Sequence, residues 1–172
     1  MWSVRTLAAI VVLVSLLTAS PAHGQVPRAD TLYTLTSPPS EFVSGCFGPC
    51  ECAVTMRATL AGSFVLHRAR SGPLLTEYDV RDVRWVATGS GEPIEITGAG
   101  TYRRGDGPVP FAQIELDLSF DRAPPLHFTS RRGDAAPFPQ ISARLWLHAE
   151  ACNDSLLVVN ATPAGGISGG GD

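Results

Sequence analysis

The chain has 172 residues, with 13 basic and 16 acidic side chains and a formal net charge of −3. That length fits one domain of ordinary size behind a leader, and mild acidity without a basic stripe argues against nucleic acid as a partner. Every basic residue is Arg, which excludes a Lys Schiff base or a Lys general base.

The N-terminus reads as a secretory signal peptide. Arg5 supplies the positive charge, Leu7 to Leu17 is an apolar run, and Ala22-His23-Gly24 forms a small-x-small cleavage site. A run of 11 residues is too short for the roughly 20 that cross a bilayer as a helix. No Cys stands at the cleavage region to accept lipid. Residues 1–24 are therefore expected to be removed, leaving 148 residues with 12 Arg against 16 acidic side chains, a net charge of −4. The mature chain has no other stretch apolar enough to span a membrane. The expected destination is secreted, periplasmic or at the cell surface.

Residues 25–30 read as a solvated lead-in, residues 31–162 as a single β-domain, and residues 163–172 as a disordered Gly-rich tail. Within the domain, apolar and polar residues alternate with the period of two that marks half-buried strands. The first long series is Val54, Met56, Ala58, Leu60, Gly62, Phe64 and Leu66, set against Thr55, Arg57, Thr59, Ser63 and His67. Next, Tyr78 and Val80 keep one phase while Val83, Trp85 and Ala87 keep the other. A β-bulge near Arg81-Asp82 would produce that shift. Ile114 to Asp121 alternates cleanly. Ile141 to Ala151 is rich in helix formers, yet Ile141, Ala143, Leu145, Leu147 and Ala149 alternate without a miss, so it is read as a strand.

Turn residues separate these runs: Gly89-Ser90-Gly91-Glu92-Pro93, Gly105-Asp106-Gly107-Pro108, Arg122-Ala123-Pro124-Pro125 and Gly133-Asp134-Ala135-Ala136-Pro137. The strands implied are 53–67, 75–88, 94–104, 111–121, 126–131 and 140–151, with further short runs for about nine in all. The expected fold is all-β: an up-and-down antiparallel meander closing into a small barrel or barrel-like sandwich, since closure removes open edges. A Greek-key sandwich is the alternative.

Four Cys remain after export: Cys46, Cys50, Cys52 and Cys152. An even count in an exported chain points to structural disulfides, and the spacing matches no usual zinc signature. Adjacent strain disfavours Cys50–Cys52. Meander parity puts Cys52 and Cys152 at the same sheet end, so Cys52–Cys152 with Cys46–Cys50 and Cys46–Cys52 with Cys50–Cys152 both stay open. A bridge closing about 100 residues is worth roughly 4–5 kcal/mol in the chain-entropy model.

No catalytic, cofactor or metal motif emerges. His67, His127 and His148 are separated by the meander and make a poor metal cage or general base. Gly89-Ser90-Gly91 lacks the frame of a nucleophile elbow, and Gly98-Ala99-Gly100 lacks the third Gly of a dinucleotide loop. Glu77, Asp79 and Asp82 form the one acidic cluster, and paired carboxylates can serve hydrolysis. Glu77 and Asp79 also fit a solvated strand face opposite Tyr78 and Val80. Trp85 belongs to the apolar phase, whereas Trp146 falls on the outward face, where a Trp can stack on a ligand. Arg103-Arg104-Gly105-Asp106 recurs as Arg131-Arg132-Gly133-Asp134, which parity places at one sheet end opposite the cysteines. Arg-Gly-Asp turns resemble those of integrin-binding adhesion proteins, although Gly-Asp also simply makes good turns. Asn153 and Asn160 stand in N-glycosylation acceptor sequences.

The order Gly48-Pro49-Cys50-Glu51-Cys52, Gly62-Ser63-Phe64-Val65-Leu66, Tyr78-Asp79-Val80, Thr97-Gly98-Ala99-Gly100-Thr101-Tyr102, Glu115-Leu116-Asp117-Leu118 and Cys152 resembles a group of uncharacterised exported bacterial single-domain proteins. The resemblance implies export and one domain over residues 45–160, and brings no activity. The expectation for function is a non-enzymatic exported β-domain that binds a ligand or partner outside the cytoplasm. The alternatives are a carboxylate-dependent hydrolase and an adhesion module displaying the paired Arg-Gly-Asp turns.

Overall fold

The computed structural model describes residues 30–36, 38–45, 55–105, 107–133, 136–148 and 154–165. Nine strands are formed: β1 (Asp30–Leu35), β2 (Ser40–Gly45), β3 (Met56–Ser71), β4 (Leu75–Thr88), β5 (Ile94–Gly105), β6 (Phe111–Phe120), β7 (Leu126–Ser130), β8 (Ile141–His148) and β9 (Asp154–Pro163). All pairings are antiparallel, and the described residues contain no helix. From β3 to β9 each strand pairs with the next in sequence. The ring closes because β1 and β2 each pair with both β3 and β9. The fold is thus the expected meander, barrel-like and hydrogen-bonded all the way round.

β1 and β2 behave as one strand with a break. The six steps from Thr34 to Ser40 match only three on β3, from Ser63 to Leu60. Pro38-Pro39 lies in the break, and Pro has no N–H to give a ladder. Local bonds fill the gap: Thr36 N–H donates to the Asn160 carbonyl at 2.8 Å, and the Ser40 hydroxyl engages both backbone groups of Asn160.

The inward side chains build one core. Phe64, Leu66, Val80, Trp85, Ile96, Ile114, Leu116, Leu118, Phe128, Leu145 and Leu157 are each at most 2% exposed. Tyr33 stacks on Phe64 at 5.3 Å, and Trp85 meets Phe64 edge-on at 6.2 Å. Gly98 and Gly100 occupy inward positions on β5, where a Cβ would collide with the Asp117 and Glu115 carbonyls of β6. Only glycine lets the two strands run that close.

The phase change on β4 is a bulge. Val80 pairs with Gly100 and Val83 with Gly98, so three steps on β4 face two on β5. Asp82 takes a left-handed φ of 50°, which Asp tolerates better than most residues. Tyr78 and Val80 on one side, and Val83, Trp85 and Ala87 on the other, all therefore reach the core.

Two expectations need adjustment. β3 continues to Ser71, past the expected end at residue 67, because β4 pairs with it as far as Ser71↔Thr76. Met56 was expected to face inward but is 62% exposed. Its partner on β2 is Ser44, while pairing to β4 begins only at Thr59, so no described strand covers it on that flank. The 140–151 run is indeed a strand over Ile141–His148. Residues 1–29 and 166–172, which include the expected leader and most of the expected tail, lie outside the described residues.

Candidate functional site

The ring is weakest between β7 and β8. These strands share only two paired positions, Thr129↔Trp146 and Ser130↔Leu145. Beyond Ser130 the chain stays with β6: Ala112 and Gly133 exchange backbone hydrogen bonds at 3.0 and 3.2 Å. β8 instead stays with β9 from Ile141 onward. The wall therefore parts, and an open-sided cleft of about 380 Å³ lies between the two strands.

Ser130, Arg131 and Gly133 line one side of the cleft, and Ser142, Ala143, Arg144 and Trp146 line the other. Tyr102, Ala112, Gln113 and Ile114 form its back wall, so the opening reaches the barrel core. Ser130 is 6% exposed, and its hydroxyl accepts the Ile114 N–H at 2.8 Å. Arg131 and Arg144 are exposed, and Trp146 is half-buried. Both guanidiniums thus stand at the mouth, and the described lining contains no carboxylate.

The connection between β7 and β8 also caps this end of the barrel. Phe138 packs on Tyr78 at 5.9 Å, and the Arg104 guanidinium lies 4.9 Å from the centre of its ring. Tyr78 in turn meets Tyr102 at 5.8 Å. Deeper in, the Tyr33 hydroxyl is buried with no hydrogen-bond partner among the described residues. Burial holds its phenol above the ordinary tyrosine value, Tyr102 and Tyr78 add to the rise, and Arg104 opposes it.

The sequence-derived candidates fall elsewhere. Cys46, Cys50, Cys52 and Cys152 all lie outside the described residues. The chain beside them is placed, however: Gly45 pairs with Asp154 and Ser44 with Met56. Glu77 and Asp79 stand on the outer wall, each held by an arginine. Arg103 Nε donates to Glu77 at 3.0 Å and its Nη1 to Glu115 at 3.4 Å; the Glu77 bond, then the Glu115 charge, push the Arg103 pKa up. Arg81 meets Asp79 at 2.6 Å. Asp82 is exposed at the bulge. The three carboxylates do not converge on a cleft.

His67 Nδ1 lies 2.8 Å from Asp30 where β3 meets β1, and His127 Nδ1 lies 2.8 Å from Asp117 where β7 meets β6. His148 ends β8, paired in register with Asp154. Among the described residues no group of three His, Cys, Asp or Glu could hold a metal. Trp85 is core, as expected, and Trp146 joins the cleft. Asn160 sits within β9, where its side chain accepts the Ser142 hydroxyl at 2.8 Å.

The repeated Arg-Arg-Gly segments meet at one end, since Ala112 is partnered by Arg104 on β5 and bridged to Gly133. One arginine of each lies over an aromatic ring: Arg104 over Phe138, and Arg132 over Phe111 at 3.4 Å. Asp106 and Asp134 lie outside the described residues.

Sequence reasoning missed Ser130, Arg131, Arg144 and Tyr102 as neighbours around one opening. The available signal was the short run 126–131 followed by a Gly/Pro-rich connection, which shortens one staple of the ring. No protein-family model, curated protein or solved structure matches the chain.

Proposed function

We propose that this chain is a non-enzymatic, exported binding domain whose ligand enters the cleft between β7 and β8. The observation that carries the proposal is the parted wall, which joins solvent to core side chains over about 380 Å³. That volume falls within the roughly 300–1,000 Å³ of small-molecule sites. The arginine-held carboxylates and the separated His–Asp pairs offer no assembled acid, base or nucleophile, which supports binding over hydrolysis. The leader sequence at residues 1–24 supports export.

The outer wall supports a water-borne domain. Among the described residues no helix is long and apolar enough to cross a membrane. Glu77, Asp79, Arg103 and Glu115 alternate with the core residues of β4, β5 and β6, in place of the apolar belt of a lipid-facing barrel. The disulfide proposal stands beside this. Gly45 and Asp154 pair at the end where the cysteine-bearing segments enter and leave the sheet, so a bridge between them would staple the ring closed. Mass spectrometry of the exported, non-reduced chain should give two bridges and a start at Gln25.

The test of the cleft is a fragment screen by ¹H–¹⁵N NMR on the mature chain. Shifts should concentrate on Ser130, Ser142–Arg144 and the Trp146 indole, and should vanish in Ala143→Trp, which fills the opening. Shifts centred on the outer wall around Glu77 and Asp79 would overturn the assignment.

A further inference from the structure

The cleft has a chemical bias that the parted wall alone does not explain. The chain as a whole is acidic, with a net charge of −3, yet the described lining carries two arginines and no carboxylate. Arg131 comes from the β7 side and Arg144 from β8, so the two charges flank one mouth. Three arginines of the outer wall, by contrast, meet carboxylates: Arg57 with Glu41, Arg81 with Asp79, and Arg103 with Glu77 and Glu115.

A second observation points the same way. Ser130 is nine-tenths buried and lines the cleft. Its oxygen accepts the Ile114 N–H on one lone pair, which leaves its proton, beside a second lone pair, to engage a ligand. A buried donor beside two guanidiniums suits an acceptor that carries negative charge. Backbone adds to this: Ile141–Arg144 pair with β9 on one edge, while the edge toward β7 faces the opening. Trp146 supplies a flat apolar wall, and aromatic faces stack readily on rings.

We infer that the cleft selects a small organic acid, an aromatic or otherwise planar body bearing a carboxylate or similar anionic group. The planar body lies along Trp146, and the acid group is held at the mouth by Arg131 and Arg144, with the Ser130 hydroxyl donating from within. This inference rests on the cleft being the binding site. It adds the charge of the ligand.

A matched pair of probes tests it: 2-naphthoate and 2-naphthamide, which share shape and differ in charge. Binding is followed by Trp fluorescence and by the NMR signals of the cleft. The naphthoate should bind at least about tenfold more tightly, the size of one charge-assisted hydrogen bond. That preference should shrink as salt rises and disappear in the double variant Arg131→Gln plus Arg144→Gln. Both arginines are exposed, so the variant should fold, and the salt series makes the same point without any substitution. Equal binding of both probes, lost in Trp146→Ala, would keep the cleft and overturn the acid preference. Silence of the cleft signals toward both probes would overturn both.

Discussion

The hydroxyl of Ser40 and the backbone of Asn160 are reciprocal partners: Oγ accepts the Asn160 N–H at 2.9 Å and donates to the Asn160 carbonyl at 3.1 Å. Ser40 is 1% exposed and sits at the break where one strand position passes from β1 to β2. The side chain therefore does what a backbone ladder would do in an unbroken strand. In Ser40→Ala, Thr36 N–H still serves the Asn160 carbonyl, while the part-buried Asn160 N–H loses its acceptor. The expected cost is about 1–3 kcal/mol, read as a lower urea midpoint at unchanged slope. A change below about 0.5 kcal/mol would mean that the ring does not depend on this hydroxyl at its seam.

Tyr33 gives a pH dependence with a definite sign. Its folded pKa is raised, chiefly by burial, so the native chain keeps the phenolic proton where an unfolded chain releases it. The associated stability is fully present below about pH 10, the ordinary tyrosine value, and falls as pH rises above it. Tyr33→Phe should flatten the loss of stability between pH 10 and 11. At pH 7 the same variant should match or exceed the parent, because the hydroxyl it removes has no partner among the described residues. Urea titrations of both chains at pH 7, 10 and 11 decide this. A steeper alkaline slope in the variant would contradict the burial argument.

The strands were legible because burial on one face writes an alternating pattern, and even the Arg81-Asp82 phase change was visible as two apolar series out of step. Met56 misled for a physical reason: alternation reports the pleat, and a strand end that overhangs its neighbour stays wet whatever its pattern. Ser40 was unreadable, since a serine beside Pro38-Pro39 looks like any loop residue until β9 is known to pass it. The cleft was unreadable on the same grounds. Arg131 and Arg144 are 13 positions apart; the next step of the ladder would set them opposite each other, and they flank an opening because β7 gives up β8 after two paired positions. Periodicity carries no record of where adjacent strands part.

Gly105 and Phe111 set the shape of the β5–β6 hairpin end. They are paired in register, and a Cβ on Gly105 would enter the Phe111 ring, which Arg132 covers on the approach from β7. Gly105→Ala should displace the ring and cost about 1–3 kcal/mol, as overpacking does, while Arg132→Gln should cost no more than about 1 kcal/mol, the worth of an exposed cation–π contact. Thermal unfolding of the two variants checks the order. If Arg132→Gln proved the more damaging, the recurring Arg-Gly pair would be held by charge and not by close packing.

The bulge at Asp82 predicts separate responses to substitution and to deletion. Asp82 has a φ of 50° and an exposed side chain, so Asp82→Gly relieves the left-handed conformation and should leave stability within about 1 kcal/mol of the parent. Asp82→Val puts a β-branched residue where that φ is a genuine outlier and should cost about 1–3 kcal/mol. Deleting Asp82 is a different matter, because it leaves two steps on β4 facing two on β5. Tyr78, Val80, Val83, Trp85 and Ala87 then alternate without a break, so all five stay in the core, where each is at most 3% exposed at present. The deletion should keep cooperative unfolding and a buried Trp85, seen as unchanged Trp emission. A deletion variant that lost its cooperative transition, or whose Trp emission shifted to the red, would show that the two apolar series need the extra residue to share one core.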